Sequence, residues 1–292
     1  MKNKILAVLT GLSMITTLCA CGSAAPAGNE TAEEAPVAAE AETETAAESD
    51  HAADASAQET SDASDGEKTW IIVTDTSFKP FEYADESGNY VGIDMDLLAA
   101  IAEDQGFKYE VQVLSWDAAL AACQEGLADG MMAAVSVTRE RMDQGWIFSD
   151  GYYDSYQCMA VAKDSGISGF GDLAGQAVGV KSGTISAEYA LGLSEQYGFV
   201  MSYFEDSPTM YRAVLDARVA ACFDDAPIMA SNVKDNGLDL VMLENTGNEP
   251  TPYGFLTFDP ANRELIDMFN EGLANVRANG KYDEILDRYL GS

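Results

Sequence analysis

The sequence predicts an α/β protein whose folded part divides into two lobes, and three observations carry that expectation. Short β-branched runs alternate with helical patterns from Trp70 onward. The alternation breaks once, at the aromatic turn Phe148-Ser-Asp-Gly-Tyr-Tyr, and then starts again. A late strand, Tyr253-Gly-Phe-Leu-Thr-Phe, follows the second set and precedes two closing helices, so the chain returns to its first half. Alternation of this kind implies a largely parallel sheet covered on both faces.

Taken in order, the chain opens with a targeting segment, Met1 to Ala20. Lys2 and Lys4 precede an apolar run, Ile5 to Leu18, that is short for a membrane span. The run ends in Leu18-Cys19-Ala20-Cys21, which resembles the bacterial lipoprotein signal. That resemblance implies cleavage before Cys21 and acyl chains (palmitate among them) on Cys21, anchoring the protein to the outer face of the cell membrane. From 21 to 67 the chain reads as the anchored cysteine and a disordered tether. Its 13 acids meet no Lys, Arg or aromatic residue, so it cannot bury enough apolar area to offset ordering. The only histidine, His51, lies here, which excludes a His-based catalytic or metal site in the folded part.

Residues 68–292 hold 36 of the 49 acids and 14 of the 16 bases, a balance near −22. Such charge argues against nucleic acid or anionic lipid as partner. Cys123, Cys158 and Cys222 match neither a metal site nor a disulfide framework, so free thiols are expected, a Cys158–Cys222 bridge being the alternative. No metal and no cofactor is expected.

The first strand starts at Trp70 and runs into a turn with two aromatics about Pro80; Asp85 to Asn89 forms a hairpin turn. A helix after Gly92 carries its apolar face on Leu97, Leu98 and Ile101 and is closed by Gly106. A strand (Tyr109 to Leu114), a helix (Trp116 to Gln124) and a strand (Gly130 to Val137) follow. Past the mid-chain turn come a strand (Gln157 to Ala162), then Val178-Gly-Val-Lys-Ser-Gly-Thr leading from strand through a glycine turn into a helix. A helix (Pro208 to Ala217), a strand (Val219 to Phe223), a helix (Pro227 to Lys234) and a strand (Leu238 to Leu243) complete the second half.

Sites in open α/β sheets form at the carboxyl ends of strands, where Asp75, Ser136, Lys181 and Asp225 all stand. Thr138 is placed to cap a helical turn, with Arg141 three residues in. An arginine fork grips a carboxylate through two parallel bonds, so Ser136 and Arg141 suit a free acid group. Taken alone, the same residues suit a surface ion pair and an ordinary strand end.

The order of motifs resolves this. T-D-T-S-F-K-P-F-E-Y, V-G-I-D-M-D-L, S-V-T-R-E-R with F-S-D-G-Y-Y, D-L-A-G-Q-A-V-G-V-K-S-G-T and N-G-K-Y-D-E-I stand in sequence across Trp70 to Leu290. Together they resemble the polar-amino-acid class of bacterial extracellular solute-binding proteins, the capture subunits of ABC importers, with the glutamine-binding members most alike. The resemblance implies a two-lobed periplasmic-binding-protein type II fold that closes on its ligand. Residues 68–152 and 254–292 would form one lobe, 156–248 the other, and 153–155 with 249–253 the hinge. It implies that Arg141, with Ser136 and backbone nearby, takes the α-carboxylate and Asp225 the α-ammonium, and that Ala134 also belongs to the ligand site. Phe78 and Trp116 would pack on the ligand's stem, with Thr184 and Ile185 close by. Asp75 and Lys181 would read the side chain, an acid and a base together suiting an amide. Two departures count against glutamine: Asp224 stands where those members have histidine, and Ile185 where glycine is usual. The first reopens a cationic ligand such as arginine, lysine or histidine.

The expected function is therefore a non-enzymatic, membrane-anchored, monomeric receptor that passes a free polar amino acid, glutamine first, to ABC permease subunits. Relatives of this fold that act as cyclohexadienyl-type dehydratases are an alternative, but three acids (Asp75, Asp224 and Asp225) suit an anionic substrate poorly. A signalling input role within the chain finds no effector segment after Gly280.

Overall fold

The computed structural model describes residues 68–291. The expected signal segment, Cys21 and the acidic stretch to Glu67 lie outside the described residues. The chain first lays down β1 (Thr69–Thr74), a small hairpin of β2 (Tyr83–Ala84) and β3 (Tyr90–Val91), and α1 (Ile93–Gln105). Next come β4 (Lys108–Val113), α2 (Trp116–Gln124), β5 (Gly130–Ser136), α3 (Arg139–Asp143), β6 (Ile147–Phe148) and β7 (Tyr153–Ser155). A second series follows: β8 (Gln157–Ala162), β9 (Ala177–Lys181), α4 (Ile185–Tyr197), β10 (Val200–Phe204), α5 (Ser207–Leu215), β11 (Ala221–Asp225), α6 (Ala226–Asp235) and β12 (Leu240–Leu243). The chain then returns through β13 (Thr251–Thr257), α7 (Arg263–Ala278) and α8 (Lys281–Leu290).

These elements make two main sheets, ordered β4-β1-β5-β13-β6 and β10-β9-β11-β8-β12, and therefore two lobes. Both sheets are mixed, with antiparallel pairings as numerous as parallel ones, which corrects the expectation of a largely parallel sheet. In the first, β4, β1 and β5 run together and β13 runs against β5. In the second, β9, β10 and β11 run together and β8 runs against both β11 and β12. The reversed strand in each sheet is the one that arrives from the other lobe. A strand entering from the cleft runs away from it, whereas the helix-connected strands run towards it. Where the chain crosses, β7 pairs with the start of β13 (Thr251 with Ser155, Tyr253 with Tyr153).

Both sheets are covered on both faces, as alternation predicts. Leu97, Leu98 and Ile101 of α1 pack with Phe269 and Leu273 of α7 on one face of the first sheet, and Ala119 and Cys123 of α2 cover the other. α1 ends where expected: Gly106 takes φ 73°, the left-handed cap that glycine adopts without strain. In the second lobe Met210, Tyr211 and Val214 cover one face, and Ala187, Ala190 and Phe199 the other. Strand β10 has no counterpart in the sequence reading. It is an edge strand, Val-Met-Ser-Tyr-Phe, with Val200 and Tyr203 turned to solvent.

Cys123, Cys158 and Cys222 are buried free thiols. No Cys158–Cys222 bridge forms, because Cys222 sits opposite Ala160 and Cys158 opposite Asp224. That diagonal offset holds Cβ atoms farther apart than a disulfide allows.

Candidate functional site

The carboxyl ends of β1 and β5 in the first lobe face those of β9 and β11 in the second, and the predicted residues meet between them. Phe78, Trp116, Ala134, Ser136, Arg141, Lys181, Thr184, Ile185, Asp224 and Asp225 line one cavity of about 20 Å³, together with Ala133. That space holds about one water, so the lobes stand closed on it. Asp75 is the one predicted residue not on the lining; it lies behind Lys181 and is equally buried. A wider depression at the opposite ends of the second lobe's strands, past Lys163 and Arg212, gathers no buried charge.

Arg141 is positioned by the cap foreseen in the sequence: the Thr138 hydroxyl accepts its backbone N–H, at 3.2 Å. The guanidinium reaches back to the Ser136 carbonyl, 3.0 Å, and across the cleft to the Gly183 carbonyl, 3.4 Å. Its central carbon lies 4.8 Å from the ring centre of Trp146, a neighbour that no sequence motif singles out. Burial lowers the Arg141 pKa from its ordinary value, opposed by Glu188, Asp225 and Glu140, and an arginine remains charged regardless. A buried cation whose fork is held by two carbonyls keeps donors for one more acceptor.

Lys181 ends β9 and crosses to Asp75 at the end of β1, a buried charge-assisted bond between the lobes. Its ammonium stands 4.8 Å from the Phe78 ring and 5.5 Å from that of Trp116. The two aromatics therefore frame a cation that belongs to the protein. Trp116 also donates its indole N–H to Gly183, at 3.2 Å. Gly183 takes φ 69°, and a Cβ there would stand 3.0 Å from the indole nitrogen, so its place suits only glycine.

Asp225 ends β11 and precedes α6. Gln157 (2.8 Å), Ser186 (2.9 Å) and Tyr253 all donate to its carboxylate. Burial raises its pKa, while those donors and Arg141 pull it down. Asp224, the preceding residue of β11, is buried and lines the cavity. One of its oxygens accepts from Tyr211, 2.6 Å, and the other from the Asp225 N–H, 2.9 Å. Burial and the adjacent Asp225 push it up to about 6.

Behind the cavity floor lies a second pair of acids, Glu82 and Asp94, both fully buried. Burial, Asp94 and Asp75 hold the Glu82 carboxyl well above the usual range, against Lys181. Asp94 is pushed up to about 7 by burial, moderated by bonds from Ala134 and Tyr152 and by its neighbour Glu82. Sequence reasoning passed over this pair, together with Gln157, Ser186 and Tyr253. Nothing in their spacing brings them together; four elements and both lobes do. No cluster able to hold a metal ion exists among the described residues.

The family model for bacterial extracellular solute-binding proteins, family 3, matches residues 70–292. A probable histidine-binding protein of Neisseria gonorrhoeae is 30% identical, over 76% of this chain and 83% of its own. An ancestral arginine-binding protein solved with glutamine is 31% identical, over 77% of this chain and 98% of its own, with a TM-score of 0.70. Substrate-binding domain 2 of Lactococcus lactis GlnP, solved open, is 38% identical over 77% and 96%, yet its TM-score is 0.54. These relatives are named as binding proteins, and histidine and arginine recur in the names of the relatives, which favours the cationic alternative over glutamine. No helix among the described residues is long and apolar enough to cross a membrane. Matched by the family model from residue 70 to residue 292, the chain belongs to the bacterial extracellular solute-binding proteins, family 3.

Proposed function

We propose that the cleft captures one free polar amino acid by closure of the lobes and presents it to ABC permease subunits, without chemistry. Arg141 takes the α-carboxylate and Asp225 the α-ammonium, because a zwitterion leaving water must meet an opposite charge at each end. The paired segments 153–155 and 249–253 serve as the hinge. The lower superposition of the open relative, despite its higher identity, supports a closed form here and an open form reached by lobe rotation. A lipid anchor on Cys21 and a monomeric receptor complete the reading.

The side chain favoured is a neutral amide, glutamine first. The observation that carries this is the Lys181–Asp75 bond: the acid that would draw a ligand cation is already matched by an internal one, and a second cation would be repelled. The relatives' names carry the second reading, in which arginine or histidine displaces Lys181 from Asp75. Calorimetric titration of protein unfolded and refolded to remove carried-over ligand separates them. Glutamine binding by the parent, with arginine gaining at least tenfold in Lys181→Met, is expected. Arginine binding by the parent that is unchanged in Lys181→Met contradicts the amide reading.

A further inference from the structure

The floor of the cavity is a break in a strand. β1 matches β5 only at Gly130 and Met131, and β13 resumes its match at Val135. Residues 132–134 therefore face a single β13 residue, Phe255, and form a bulge. Within it Ala134 takes φ 47°, a conformation disfavoured for any residue with a Cβ. Its N–H leaves the ladder and donates to Asp94 Oδ2 of α1, at 2.8 Å. The Tyr152 hydroxyl donates to the same oxygen at 2.9 Å. Asp94 Oδ1 and both Glu82 oxygens have no partner of good geometry, a set of buried acceptors that one proton between the two carboxyls would serve. An acid in the first turn of a helix ordinarily faces solvent and the helix dipole; Asp94 is fully buried and faces the bulge instead.

We propose that Asp94 is a positioning residue of the ligand site: steadied by Tyr152 and backed by Glu82, it pins Ala134 in the left-handed conformation and so sets the backbone of the bulge against the bound amino acid. This rests on the reading of the cavity as the amino-acid site. Ala133 and Ala134 line that cavity beside Asp225, so a bulge that relaxed to regular strand would remove backbone acceptors from the ammonium end of the ligand. Loss of Asp94 would leave the Ala134 N–H buried without a partner and the strained φ without support.

The test compares Asp94→Ala, Ala134→Gly and the double variant by three readouts: hydrogen exchange at residue 134, thermal melting, and titration with glutamine and with arginine. Asp94→Ala is expected to lose protection at the 134 amide and to bind the parent's ligand at least tenfold more weakly. Glycine adopts the left-handed conformation freely, so Ala134→Gly in that background is expected to recover part of the loss; the single Ala134→Gly variant closes the cycle from which the coupling of the two positions is read. A folded Asp94→Ala that keeps both amide protection and affinity overturns the proposal, as does a loss that glycine does not relieve. Should Asp94→Ala not fold, Asp94→Asn keeps an acceptor for both donors. It should retain protection and most affinity, and a tenfold loss there also overturns the proposal. If the parent binds neither amino acid, the site reading fails; amide exchange and the coupling of 94 with 134 in melting temperature then test the pin alone.

Discussion

Four carboxyls among the described residues are buried with raised pKa values: Glu82, Asp94, Asp224 and Asp225. An acid whose pKa is higher folded than unfolded binds more protons in the native state between the two values. Its contribution is present at low pH and is lost as pH rises, here from about 4 through about 6 for Asp224 and about 7 for Asp94. The protein is therefore expected to melt at a higher temperature at pH 5 than at pH 8. Glu82→Gln, a neutral isostere able to donate to Asp94, is expected to match the parent at pH 5 and to melt a few degrees higher at pH 8. Scanning calorimetry at both pH values checks this, and equal shifts at both would contradict a neutral Glu82. The residues that end strands (Asp75, Ser136, Lys181, Asp225) were legible because strand ends are visible in sequence. Their partners were not: Gly-Met-Met-Ala-Ala-Val-Ser reads as plain strand, and only neighbours on both sides reveal its bulge. Gln157, Ser186 and Tyr253 converge on Asp225 through pairing that no local spacing encodes.

At the scale of elements, closure is held by a few contacts at the facing strand and helix ends. The turn after β9 offers one carbonyl, Gly183, to donors from α2 and α3 of the other lobe. At the cleft rim Lys79 pairs with Asp235 of α6, at 2.9 Å. The rim pair is partly exposed and is expected to matter little, below about 1 kcal/mol, so Lys79→Ala should leave affinity nearly unchanged. Gly183→Ala is expected to weaken binding tenfold or more, since it strains φ and crowds Trp116. Titration of the two variants side by side checks the contrast. The helices were legible from their apolar spacing and caps, Thr138 and Gly106 among them. The direction of β8 and β13 was not, because alternation records succession and not orientation. Edge strand β10 was legible in principle, since Val-Met-Ser-Tyr-Phe favours a strand, and was passed over.

For the whole molecule, the buried Lys181–Asp75 bond spans the two lobes and is made only when they meet. Asp75→Asn with Lys181→Met removes it without stranding a buried charge. That double variant is expected to shift the protein towards the open form before ligand is added, read as a larger radius of gyration in solution scattering. An unchanged radius would show that other contacts hold the lobes. Two lobes were legible from the mid-chain break and the late return, and the order of motifs located the cleft. The degree of closure was not, since it depends on contacts between residues 106 positions apart.

The most direct test of the central claim is calorimetric titration of the refolded protein and of Arg141→Ala with the free amino acid it binds and with that amino acid's α-amide. If Arg141 grips the α-carboxylate, the parent binds the free acid saturably and at least a hundredfold more tightly than the amide. In Arg141→Ala that preference collapses along with the affinity. A parent that binds no common amino acid, or binds acid and amide alike, would contradict the account.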